Sequence, residues 1–96
     1  MIILGLDPGY GTTGYGIVKY DNVRFTPVQY GAITTASGQP FHHRLCEIYD
    51  DVCTLVDTFH PDECAMEELF FNNNITTGIQ VAHARGVIML ALAQKG

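Results

Sequence analysis

Asp7 and Glu67 stand apart among the ten acidic residues because each comes from an apolar stretch that has the character of a β-strand. If the two strands are neighbours in a sheet, their carboxylates meet at one end of it. Like charges so placed repel each other unless a proton or a cation lies between them. No lysine or arginine lies near either acid in the sequence. A metal ion is therefore one candidate for the missing positive charge.

Paired carboxylates of this kind suit a hard divalent cation such as Mg²⁺, which prefers oxygen ligands. Such an ion polarises a phosphodiester and generates hydroxide from its bound water, so the pair indicates hydrolytic chemistry. The spacing alone leaves a plainer interpretation open, in which both acids end their strands in water without a ligand.

A glycine-rich turn follows the first of these acids, since residues 5–16 read GLDPGYGTTGYG. Glycine has no Cβ, so its backbone can approach another group closely. An acid at the end of a strand, joined to such a turn, is a more specific signal than two carboxylates alone.

The elements that must position these residues begin with three strands. Residues 2–7 form a short apolar run, which predicts a strand buried on both faces. Residues 14–20 and 23–35 alternate around a turn at Asp21, and together with the first run they predict an antiparallel meander. Pro27 has no N–H to donate, which places it on an edge strand or at a bulge.

Two helices and a fourth strand complete the predicted order. Apolar residues recur at intervals of three and four over residues 45–59, which predicts an amphipathic helix that ends before Pro61. Residues 63–69 return to strand character, and a second helix, capped by Thr76 or Thr77, runs to about Lys95. The crossover is long enough to pair the fourth strand parallel to the first, which gives an α/β class.

The second helix carries small residues on one stripe, at Gly78, Ala82 and Gly86. Such a stripe allows close helix contact in a dimer, or close packing on the helix's own sheet. Because little of the remaining helix surface is polar, we expect it to be covered on more than one side.

Composition limits the class of protein. The chain has 96 residues, of which 47% are hydrophobic and 16% charged, so it has the composition of one small folded domain. Its formal charge of -5 repels phosphate as a whole. No apolar run approaches the about 20 residues that span a bilayer, and no leader precedes the first strand. We expect a cytoplasmic protein with no membrane partner.

The cysteines and histidines suggest no metal site. An odd number of cysteines without a paired spacing predicts reduced thiols in the core; they are Cys46, Cys53 and Cys64. His42 and His43 are adjacent in a helix and diverge around its axis, which predicts surface residues. His60 is expected to face water at the end of the helix.

Three motifs together resemble the RuvC family of Holliday-junction resolvases, whose fold is ribonuclease H-like. They are IILGLDPGYGTTGYGIV at the start, PDECAMEELFF after one helix, and QVAHARGV in the last helix. The resemblance covers residues 1–96 in the same order of elements. It implies a ribonuclease H-like α/β fold, of which residues 1–96 are the N-terminal part of a single domain.

The resemblance also implies roles for particular residues. Asp7 and Glu67 match the first two metal-binding catalytic acids of the family, with Mg²⁺ or Mn²⁺ as the metal. Phe70 matches an aromatic residue that inserts near the junction crossover, although it could equally finish the core together with Phe71. Arg85 matches the family pattern and is a candidate DNA contact, with an internal hydrogen bond as the alternative.

The function implied is that of a crossover junction endodeoxyribonuclease in DNA recombination and repair. Such an enzyme acts as a homodimer on four-way junction DNA, alongside a branch-migration helicase. The family pattern has four acids, and its last two lie in a basic C-terminal segment that residues 1–96 do not contain. We therefore expect this stretch alone to bind Mg²⁺ weakly and to cleave nothing.

Two other functions stay open from the residues. A fragment of an actin-like ATPase or sugar kinase would explain Asp7 with its glycine turn, but not Glu67, Phe70 or the stretch around Arg85. A non-catalytic ribonuclease H-like interaction module would use the same fold without metal.

Overall fold

Four strands form one mixed sheet in the computed structural model, which describes residues 1–9, 11–35, 38–66 and 75–95. The strands are β1 (Ile2–Asp7), β2 (Thr12–Tyr20), β3 (Phe25–Thr34) and β4 (Glu63–Met66), and the helices are α1 (Phe41–Phe59) and α2 (Ile75–Lys95). The sheet order is β3-β2-β1-β4, with β4 parallel to β1 and the other pairs antiparallel. The predicted class, meander and parallel crossover are confirmed.

The turn between β2 and β3 follows from two polar residues. The Asp21 carboxylate accepts hydrogen bonds from the backbone N–H groups of Val23, at 3.0 Å, and Arg24, at 2.9 Å. These bonds favour the ionised form, so they lower the pKa of Asp21. Asn22 adopts a φ of 75°, in the left-handed region that asparagine tolerates better than most residues.

Pro27 lies beside a bulge and on a strand that is an edge of the sheet among the described residues, so both predicted settings are confirmed. Ile17 pairs with Gln29, whereas Val18 pairs with Pro27, which leaves Val28 as an extra residue on β3. The bulge places a residue that lacks an N–H where the regular ladder is already interrupted.

The core lies between one face of the sheet and the two helices. Its buried apolar residues are Leu4, Leu6, Ile17, Ile33, Ile48, Val52, Leu55, Ala84, Ile88 and Ala91. The prediction that β1 is buried on both faces is wrong, because Ile3 and Gly5 are only half-buried. Both helices pack on the face that Leu4 and Leu6 occupy, so the opposite face of β1 stays open to solvent within the described residues.

The end of α1 agrees with the prediction, whereas the start of α2 does not. α1 ends at Phe59, and His60 adopts a φ of 49° while its N–H donates to the Val56 carbonyl. This closes the helix before Pro61, as predicted. α2 already begins at Ile75, so Thr76 and Thr77 lie inside the helix and the prediction that one of them caps it is wrong.

The two helices also contact each other through polar side chains. The Lys95 Nζ lies 3.0 Å from the Asp57 Oδ2, and the Tyr49 hydroxyl donates to the Gln94 side chain. Among the described residues, neither helix is long and apolar enough to cross a membrane.

The three cysteines are free, as predicted, but only Cys53 is partly buried. The prediction that all three lie in the core is wrong for Cys46 and Cys64, which are exposed. Cys46 lies on the solvent side of α1, and Cys64 belongs to β4, an edge strand among the described residues. His42 and His43 are exposed, as expected for surface residues.

Candidate active site

Asp7 is the last residue of β1, and its side chain is exposed. It pairs with Gly14 of β2, which completes the ladder between these two strands. On the other side of β1, Leu6 pairs in parallel with Met66, the last residue of β4. Glu67 and Phe70 follow β4 in the sequence and lie outside the described residues. The predicted meeting of the two carboxylates therefore stays a prediction.

A groove of about 640 Å³ runs over the open face of the sheet beside Asp7. The groove is lined by Gly5, Gly14 and Gly16. Because glycine has no side chain, the backbone itself forms the bottom of the groove at these positions. Tyr30 also lines the groove, and its side chain is largely exposed. The groove therefore leaves room next to the Asp7 carboxylate for another group.

The turn after Asp7 requires glycine at two positions. A Cβ on Gly9 would lie 2.5 Å from the Thr12 carbonyl oxygen, closer than side chains approach. Gly11 adopts a φ of 81°, in the left-handed region that glycine enters without steric cost. The structure therefore requires glycine at both positions, by close contact within the turn at Gly9 and by a left-handed φ at Gly11.

The turn is also tied to α1 and to the end of β3. The Arg44 Nε donates to the Thr35 Oγ1 over 2.9 Å. The Thr35 hydroxyl and backbone N–H in turn approach the Gly11 carbonyl oxygen, at 3.4 and 3.2 Å. Neither Arg44 nor Thr35 is a predicted site residue, because their closeness to Gly11 arises only when helix, strand and turn come together.

Arg85 lies on α2 and is half-buried. One of its terminal nitrogens lies 3.5 Å from the Met89 sulfur, one helical turn along, which is a weak hydrogen bond. Its Nε is shielded from solvent and has no hydrogen-bond partner among the described residues. The predicted contact of Arg85 with DNA stays a prediction.

The described donors fit a metal only in part. Asp7 offers carboxylate oxygens, the ligand type that Mg²⁺ and Mn²⁺ prefer. Residues 1–9, 11–35, 38–66 and 75–95 contain no group of three or more histidine, cysteine or acidic side chains close enough to hold an ion. Glu67, the second predicted ligand, lies outside these ranges, so the expectation that residues 1–96 hold only part of a metal site stays a prediction.

The sheet order, the parallel crossover strand and an acid at the end of β1 define the ribonuclease H-like class. The sequence model of the family described as crossover junction endodeoxyribonuclease RuvC matches residues 3–96, so the chain belongs to this family. The family assignment does not favour an actin-like ATPase or a sugar kinase.

Individual relatives agree with this assignment. The chain is 48% identical to the RuvC of Ruminiclostridium cellulolyticum over 96 residues, which cover all of this chain and 58% of the relative. It is 50% identical to the RuvC of Clostridioides difficile, of which it covers 57%. The chain thus spans little more than half the length of these curated relatives.

A solved structure of T. thermophilus RuvC in complex with a Holliday junction substrate superimposes with a TM-score of 0.89 at 25% identity. The match covers 100% of this chain and 60% of the solved chain.

Proposed function

We propose that this chain is the N-terminal part of a crossover junction endodeoxyribonuclease that cuts four-way DNA junctions by metal-assisted phosphodiester hydrolysis. The observation that supports this most directly is the place of Asp7. Its exposed carboxylate ends β1, beside a glycine-floored groove and next to the end of parallel β4. In a member of the RuvC family, that is a position from which a carboxylate can bind a metal and face a phosphodiester.

In this proposal Asp7 and Glu67 are the catalytic residues that hold the metal, either Mg²⁺ or Mn²⁺. The parallel register supports the pairing, since Leu6 and Met66 are partners and the two acids follow them directly. When bound, the metal supplies a polarised phosphate oxygen and a nucleophilic hydroxide. Asp7 would help to hold that ion, and the groove lined by Gly14 and Gly16 would leave space for the scissile phosphate.

Junction DNA is the proposed substrate, with Phe70 stacking on a base near the crossover and Arg85 contacting a phosphate or an acid. A formal charge of -5 makes residues 1–96 unsuited to hold DNA alone. The remaining length of the family members is expected to supply further acids and basic DNA contacts. We therefore place cleavage in the full-length protein, in the cytoplasm and alongside a branch-migration helicase.

A homodimer through α2 is part of the same proposal. Ile79, Met89 and Leu90 are about half-exposed, whereas Ile88 and Ala91 are buried on the core side of the helix. Gly86, at helical spacing from these exposed residues, has open space where a Cβ would lie. A twofold dimer would give two active sites related by symmetry, which suits a symmetric four-way substrate.

The small-residue stripe contributes to that surface only in part. Gly78 is buried within its own chain, whereas Gly86 is exposed. Of the three predicted residues Gly78, Ala82 and Gly86, we therefore propose that only the C-terminal end of the stripe, at Gly86, takes part in the dimer. The exposed apolar residues Met89 and Leu90 extend this surface.

The central test is Asp7→Asn in the full-length protein. This substitution keeps the size of the side chain and removes the charge that binds metal. We expect cleavage of a synthetic four-way junction to fall at least about a hundredfold, since the lost metal stabilisation is worth several kcal/mol. Junction binding, followed by gel mobility shift, should stay at the wild-type level.

Asp50→Asn is the matched control, because Asp50 is an exposed carboxylate on α1 outside the site. It should leave cleavage unchanged. Retained cleavage in Asp7→Asn would reject the proposed site, and a wild-type protein that binds junctions but never cuts them with Mg²⁺ or Mn²⁺ would reject the function.

A further inference from the structure

Arg44 joins three elements that meet beside the glycine turn. It lies in the first turn of α1, and its Nε donates over 2.9 Å to the hydroxyl of Thr35, directly after β3. Thr35 is only 6% exposed. Hydrogen bonds from a charged donor are stronger than those between neutral groups, so this contact holds the Thr35 hydroxyl firmly.

Thr35 in turn forms hydrogen bonds with Gly11 in the turn between β1 and β2. Its backbone N–H donates to the Gly11 carbonyl at 3.2 Å, and its hydroxyl reaches the same oxygen at 3.4 Å. A hydroxyl can accept one hydrogen bond while it donates another. With Arg44 as the donor, the Thr35 hydroxyl hydrogen is free to point at Gly11.

The guanidinium also packs directly against Gly11. A Cβ built on this glycine would lie 3.0 Å from a terminal nitrogen of Arg44, which is tighter than ordinary contact. The guanidinium carbon lies 6.0 Å from the ring centre of Phe41, within the range of a cation–π contact. The Phe41 ring in turn meets His83 of α2 edge-on at 6.0 Å, so Arg44 is oriented by contacts within the helical layer.

The turn that Arg44 contacts is directly connected to the strand end that carries Asp7. Asp7 forms the last pair of the ladder between β1 and β2, and only four residues separate it from Thr12, the start of β2. A displacement of Gly11 can therefore reach the strand end through only a few residues. Small displacements of a group that binds a metal or a reactant have large effects on rate.

We propose that Arg44 is a positioning residue for Asp7, acting through Thr35 and Gly11 on the turn between β1 and β2. This inference rests on the proposed function, in which Asp7 binds the catalytic metal. The role differs from a contact with DNA, because it predicts a change in metal affinity and in the rate of the bound complex, and no change in junction affinity.

The test compares Arg44→Met and Arg44→Lys in the full-length protein. We expect Arg44→Met to weaken Mn²⁺ binding, measured by electron paramagnetic resonance without DNA, and to lower kcat by about ten- to a hundredfold. The KM for a synthetic junction should not change. Arg44→Lys should recover part of both losses, because an ammonium group still donates to Thr35 but lacks the planar fork of arginine.

Arg24→Met is the matched control, since Arg24 is exposed in the hairpin at the opposite end of the sheet from Asp7. It should leave Mn²⁺ affinity and kcat at the wild-type level. Thermal unfolding of each variant shows whether the protein is folded at the assay temperature. If Arg44 positions Asp7, Arg44→Met should lose metal affinity even at temperatures at which it is fully folded.

Wild-type Mn²⁺ affinity in folded Arg44→Met would overturn the proposal, and so would a raised KM with an unchanged kcat. If the proposed function is wrong, the outcome is different, because the wild-type protein itself then cuts no junction. The Mn²⁺ affinities of the Arg44 variants would decide the role of Arg44 in that case as well.

Discussion

Two glycines with similar positive φ angles differ in what surrounds them. Gly11 and Gly38 have φ angles of 81° and 87°, which side chains rarely adopt. A Cβ on Gly11 would press on the Arg44 guanidinium, whereas one on Gly38 would meet nothing within 4 Å. The pair therefore separates the cost of the backbone conformation from the cost of displacing Arg44.

We expect Gly38→Ala to lower the free energy of unfolding by about 1 kcal/mol, from backbone strain alone. Gly11→Ala should lower it by about 2–3 kcal/mol, because Arg44 must also give up its hydrogen bond to Thr35. Urea denaturation of the two variants measures the difference. Equal losses would show that the guanidinium moves away from Gly11 without cost.

At the scale of elements, α1 carries unfavourable charge on its exposed side. Partial desolvation, with smaller contributions from the Glu47 and Asp50 carboxylates, raises the pKa of Asp51. The folded state thus holds the Asp51 proton more tightly than the unfolded chain does. This carboxylate costs stability once it is ionised, and the cost disappears as pH falls below its ordinary value of 3.8.

Asp51→Asn should therefore raise the free energy of unfolding near neutral pH by about 0.2–0.5 kcal/mol, the usual scale of a like-charge pair one helical turn apart. The gain should vanish in acid. Asp57→Asn is the comparison, because Asp57 accepts a hydrogen bond from Lys95 of α2 and its loss should lower stability. Denaturation midpoints over a pH series would contradict this account if Asp51→Asn gave no gain at any pH.

At the scale of the whole molecule, the proposed dimer depends on the apolar side of α2 that faces away from the core. Leu90→Lys introduces a charge on that surface, and we expect the full-length protein to become monomeric in sedimentation experiments, since burying an unpaired charge in an interface is costly. Val23→Lys is the control, because Val23 is 85% exposed in the hairpin turn, apart from α2. A Leu90→Lys protein that remained dimeric would place the interface elsewhere.

Much of the fold could be predicted because its signals are local. The meander, the edge position of Pro27, the turn at Asp21 and the end of α1 before Pro61 each depend on hydrogen bonds or backbone preferences within a few residues. The parallel pairing of β4 with β1 follows from the length of the crossover. Asp7 at the end of β1 belongs to the same group, since its place is set by where the apolar run stops.

Other features were decided only by the tertiary structure. The sequence predicts burial of both faces of β1 and of all three cysteines, yet the two helices pack on one face only and leave Ile3, Cys46 and Cys64 partly or fully exposed. The type of a residue indicates only that its burial would be favourable. Whether the residue is buried depends on how distant elements pack. For the same reason the contact of Arg44 with Gly11 has no local signal: it joins a helix, a strand end and a turn that are separated along the chain and meet only on folding.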